Sequence, residues 1–123
     1  MQTKSEKSRK QRRWMFKAPK HKQLKRCAAP LSKELREKYK RRTVNVRKAD
    51  IVKVVRGKFK DHAGEVMNVN PTKHGIYVDG VTIKKADGTD VPRAIDPSNV
   101  VITQLFLEDK KRRAMLSRKL EVK

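Results

Sequence analysis

Positive charge is unevenly placed along this chain, and that placement limits what the chain can fold into. Residues 1–42 hold 17 Lys and Arg against 3 Asp and Glu, residues 43–107 hold 10 against 7, and residues 108–123 hold 7 against 3. The first third therefore carries +14 of a formal +21. SEKSRKQRRWMFKAPKHKQLKRCAAP, residues 5–30, has few apolar residues, no sustained period and two interruptions, Pro19 and Pro30. Such a stretch cannot bury enough apolar surface to offset the entropy of ordering it. Residues 1–30 are expected to form an extended basic arm that orders only against a partner. Some thirty residues of extended chain reach roughly 100 Å, well beyond a small domain.

A net charge of +21 and a sequence pI near 10.6 bring self-repulsion and no gain in fold stability. A permanent polyanionic partner is the simplest account, and nucleic acid is the commonest polyanion. An anionic membrane surface is the weaker rival, because no apolar run reaches the roughly 18 residues of a spanning helix. An amphipathic membrane helix needs a broad apolar face, and residues 1–30 show none. The start of the chain has no apolar stretch behind its charges and does not read as a signal peptide. Cys27 is the single cysteine, so no intrachain disulfide forms, and a reducing, cytoplasmic home is expected. Its plain reading is a small, semi-buried residue.

Beyond Pro30 the pattern changes. LSKELREKYKRR, residues 31–42, predicts a short helix with Ser32 as its cap and Glu34 near its start. Lys40, Arg41 and Arg42 stand at its end, and Leu31, Leu35 and Tyr39 form a narrow apolar stripe. Residues 43–107 contain five Val- and Ile-rich runs: DIVKVVRG, GEVMNVN, GIYVDGVTIKK, TDVPRAI and NVVITQLF. Turn pairs such as Asn70-Pro71, Asp87-Gly88 and Asp96-Pro97 punctuate them at the interval of a small all-β domain. Asp87-Gly88 marks a hairpin turn. Closure of such a sheet into a small barrel would remove most exposed strand edges. Residues 108–123 predict a basic C-terminal helix whose Glu108 and Asp109 suit its N-terminus. Leu116 and Leu120 are its candidates for packing, on the barrel or on a partner.

ADIVKVVRGKFKDHAGEVMNV, with Asp50, Gly57, Lys60, Gly64, Val66 and Val69, resembles a KOW motif. That motif occurs in ribosomal proteins and in transcription elongation factors. The flanks LSKELREKY, VRKADIVKVVRG, VDGVTIKKADGT and DPSNVVI distinguish between them. They resemble the large-subunit ribosomal proteins numbered twenty-four in bacteria and twenty-six in eukaryotes, in the archaeal and eukaryotic form. The absence of a long basic tail after the last helix favours the archaeal version. The resemblance implies a mainly β fold, an SH3-like KOW barrel with a basic arm. It implies binding to large-subunit ribosomal RNA beside neighbouring large-subunit proteins, early in assembly and near the RNA 5′ end and the peptide exit tunnel. No cofactor, small-molecule substrate, membrane or second copy of the chain is implied. Two positions depart from the family: Ala49 stands where glycine often precedes the aspartate, and Asp61 follows Lys60 where glycine is usual. If that glycine takes a positive φ, aspartate is among the few residues that tolerate it.

The candidate RNA contacts follow from this layout. In the arm they are Arg9, Lys10, Arg12, Arg13, Lys17, Lys20, Lys22, Lys25 and Arg26 as phosphate partners. Trp14 and Phe16 are candidates to stack on an unpaired base or a ribose. In the loop they are Arg56, Gly57, Lys58, Lys60 and Gly64, and beside the Asp87-Gly88 turn Lys84 and Lys85. Arg56 and Lys58 are better candidates than Lys60, whose neighbour Asp61 lowers the local potential. Each has a plainer reading: Trp14 as an anchor on the barrel, the glycines as hairpin geometry alone, a single lysine as a solvated charge. His21, His62, His74 and Cys27 fit no zinc spacing, and no CxxC occurs. No paired carboxylates, nucleophile with its base or phosphate loop suggests an enzyme. A KOW-type transcription elongation or RNA-binding module is the runner-up, and it would need a polymerase-contacting domain for which this chain has no room.

Overall fold

Residues 5–121 are described by the computed structural model. In chain order they form helices α1 (Ser8–Lys17) and α2 (Lys20–Leu24), strand β1 (Ala28–Pro30), helix α3 (Lys33–Tyr39) and strands β2 (Thr43–Asn45), β3 (Ile51–Val54) and β4 (Ala63–Asn70). Strands β5 (Gly75–Lys84) and β6 (Asp90–Ile95), a 3-10 turn at Pro97–Asn99, strand β7 (Val100–Gln104) and helix α4 (Lys110–Glu121) complete it.

The arm departs from the extended form expected of it. Residues 8–17 are rich in Arg, Lys, Gln and Met, all good helix formers, so a local helix forms without a wide apolar face. It stops at Ala18 because the following Pro19 disfavours helical geometry there. Gln23, buried in α2, donates from Nε2 to the Phe16 carbonyl at 3.4 Å and ties the two helices together. The arm also ends earlier than position 30. Cys27 is 1% exposed, fully rather than partly buried, and Ala29 of β1 pairs with Val44 of β2. Burial raises the Cys27 thiol pKa. The arm's first four residues lie outside the described ones.

The five Val- and Ile-rich runs become β3 to β7, one antiparallel sheet in the order β6-β5-β4-β3-β7. It curls into a small SH3-like barrel, and the 3-10 turn carries the chain from edge strand β6 to edge strand β7. Register shifts within the β4–β5 and β5–β6 pairs accommodate the bending of the long β5. Val52, Val66, Ile76, Val81, Val100 and Ile102 fill the interior and are almost wholly buried. Leu31, Tyr39, Val44, Val46 and Leu116 extend that core beyond the barrel. Asp87-Gly88 makes the expected hairpin turn, with Ile83 opposite Val91. Ser32 caps α3, accepting from the Leu35 N–H at 3.4 Å.

Helix α4 is locked to the barrel by a buried ion pair. Arg112 and Asp50 are 2% and 0% exposed, and the guanidinium grips both carboxylate oxygens at 2.6 and 2.7 Å. Asp50 also accepts from the N–H of Arg47 at 2.8 Å and of Phe106 at 2.9 Å. Arg112 donates to the Phe106 carbonyl at 2.8 Å. Asp109 caps α4 through the Lys111 N–H at 2.9 Å and pairs with Arg47. Leu116 packs on the core as one of its two expected seats, whereas the Leu120 side chain lies outside the described ones.

Candidate nucleic-acid interface

Two cationic grooves gather half of the expected contacts. The first, of about 820 Å³, opens between α1 and the turn after α2 and is lined by Arg12, Lys22, Lys25 and Arg26. Trp14, Met15 and Phe16 provide its apolar wall. Trp14 is half-buried and Phe16 is 62% exposed, so the two aromatic faces meet solvent unequally. The helical form of the arm is what brings residues 12 and 26 to one opening. Arg9, Lys10, Arg13, Lys17 and Lys20 are exposed on the same two helices but do not line the groove.

One contact joins this region to the barrel. Arg26 donates from its guanidinium to Nε2 of His74, in the β4–β5 turn, at 2.9 Å. Burial of the ring, and then the nearby Arg26 charge, lower the His74 pKa below its usual value. His74 is therefore held neutral, with Nε2 as the acceptor.

The second groove, of about 330 Å³, lies at the β3–β4 loop and joins Arg56, Gly57, Lys58 and Phe59 to Arg93 of β6. The loop is tied down by its own backbone: the Asp61 N–H donates to Val54, the His62 N–H to Phe59 and the Val55 N–H to Asn99, at 2.8 to 3.1 Å. Gly57 has φ +93, a left-handed conformation that glycine adopts freely. Asp61 has φ 67 and pairs with Lys53 at 3.0 Å, and hydrogen bonding to Lys53 lowers its carboxyl pKa. The departure at Asp61 is thus accounted for. Asp61 fills a left-handed position and pairs with a strand lysine. Lys60 projects beside it, outside the groove.

Gly64 does not belong to this surface. It is half-buried in β4, where an added Cβ would lie 2.7 Å from the Asp79 carbonyl, so its smallness serves strand packing. Lys84 and Lys85 are exposed at the distal hairpin and join neither groove. Arg93 is the cation of the second groove that the sequence did not reveal. It is a lone arginine in a different strand, 37 residues from Arg56 in number, and only the barrel brings it there. Among the described residues no three His, Cys, Asp or Glu side chains converge on a metal position. Nor is any described helix long and apolar enough to cross a membrane.

A small antiparallel barrel with a basic arm and a basic loop, and with no catalytic constellation among its described residues, is the layout of a structural protein. Over residues 5–119 the chain matches the family of ribosomal proteins L26 eukaryotic, L24P archaeal, and it belongs to that family. It is 47% identical over 119 residues to the large ribosomal subunit protein uL24 of Korarchaeum cryptofilum, covering 97% of this chain and 91% of the relative. It is 53% identical over 116 residues to the large ribosomal subunit protein uL24 of Methanospirillum hungatei, covering 92% and 94%. The chain is a structural, non-enzymatic component of the large ribosomal subunit.

Proposed function

We propose that the protein binds large-subunit ribosomal RNA through two separated cationic contacts, the arm groove and the β3–β4 loop groove. The observation that carries this reading is the arm groove, where four cations surround a Trp–Met–Phe wall. Phosphates pair with Arg12, Lys22, Lys25 and Arg26, and an unpaired base stacks on the aromatic wall. The pre-ordered loop presents Arg56, Lys58 and Arg93 to a second stretch of backbone and orients the barrel. Counterion release from the arm supplies most of the affinity. By the family resemblance, the protein joins early in subunit assembly, near the RNA 5′ end, and sits close to the peptide exit tunnel beside other subunit proteins.

The test is a crosslinking map of the intact large subunit combined with salt washing. The arm from Arg9 to Arg26 should give adducts to RNA, and the protein should stay with large subunits through moderate salt. An arm that yields no RNA adduct, or a protein found only in free or small-subunit fractions, would sink the reading.

A further inference from the structure

A third open groove differs in kind from the two cationic ones. It lies across β4, β5 and β6, with a volume of about 520 Å³. Met67, Asn68, Tyr77, Thr82, Val91 and Pro92 shape it, and Asp79 is its only charged residue among the described ones. Lys and Arg make up 34 of the chain's 123 residues, yet none of the described ones lines this groove.

That chemistry discriminates between RNA and protein. A phosphate here would find no counter-charge and would face the Asp79 carboxylate, the reverse of what RNA affinity needs. An exposed methionine beside a half-buried tyrosine, with few charges, is what the core of a protein–protein interface shows. Met67 is 60% exposed, a large apolar side chain left in solvent on a highly charged molecule. Pro92 sits in edge strand β6 and lacks an N–H, which discourages strand addition. Docking therefore proceeds through side chains laid across the sheet.

We propose that this groove is a protein-docking face whose occupant is a basic segment of a neighbouring large-subunit protein, complementary to Asp79. The inference rests on the RNA-binding reading above, because the charge sorting it uses assigns the other two grooves to RNA. The test is made in large subunits assembled with the full-length chain. A benzophenone amino acid replaces Met67 in one preparation and Lys58 in another. Irradiation should give a protein adduct from position 67 and an RNA adduct from position 58. An RNA adduct from position 67, or no adduct there while position 58 crosslinks to RNA, overturns the docking inference and leaves the RNA reading standing. Failure of position 58 to reach RNA counts against the RNA reading instead. As a second measurement, Met67→Lys should release the protein from subunits at lower salt. Unchanged or firmer retention places the face on RNA or in solvent and overturns the proposal.

Discussion

Ala49 has φ 65, the left-handed conformation, which an L-residue with a Cβ adopts at a cost of roughly 1–2 kcal/mol. The position is fixed from both sides, because its N–H donates to the Val66 carbonyl and the next residue is the buried Asp50. Ala49→Gly should therefore raise stability by about 0.5–1 kcal/mol, after allowing for the freer unfolded chain, as read in urea unfolding. His74 offers a prediction of the opposite kind. Its folded-state pKa lies below the ordinary 6.5. Its contribution is fully present above that value and lost as pH falls through the folded pKa. Acidification from pH 7.5 to 5.5 should loosen the arm from the β4–β5 turn, seen as lower amide protection factors around Arg26 once the slower intrinsic exchange at acid pH is divided out. His74→Gln should flatten that response. Protection factors that do not change with pH in the parent chain would refute the assignment.

At the scale of elements, α4 depends on Arg112 and Asp50 as a unit. Removing one partner of a buried, hydrogen-bonded pair strands the other charge and costs about 3–5 kcal/mol. Asp50→Ala or Arg112→Ala should each lower stability by about that amount, while Asp50→Leu with Arg112→Met should lose clearly less than the two added together. Equal additivity in denaturant titrations would show that the two do not act together. The five strands of the barrel and the caps of α3 and α4 were legible beforehand, because β-branched runs, turn pairs and capping residues act over a few positions. The Asp50–Arg112 pair was not, since 62 residues separate its members and nothing local distinguishes Arg112 from its basic neighbours. Helix α1 escaped for a different reason. Its cations form a good helix by propensity, without the sustained apolar stripe that marks a helix in a sequence.

For the whole molecule, the charge split by zone carried over, but the grooves did not. Arg12 and Arg26 share an opening only through two helices and the turn after them, and Arg93 reaches Arg56 only through the barrel. If the arm supplies most of the affinity, salt should reveal it. Removing residues 1–17 should flatten the dependence of log K on log salt far more than Arg56→Ala with Lys58→Ala. The loop pair should lose at most about two units of slope, one per phosphate. A larger loss from the loop would reverse the assignment of roles.

The buried pair also has a consequence for the order in which the chain is made. The polycationic arm is synthesised first, and Asp50 follows, 62 residues ahead of the arginine that neutralises it. Through that interval the barrel strands exist without the helix that closes their core, and the arm has no folded body behind it. A chain stopped before Lys110 should accordingly remain sensitive to protease, with the released full-length chain resistant over its barrel. The emergence of α4, rather than the appearance of the last strand, is what completes this fold.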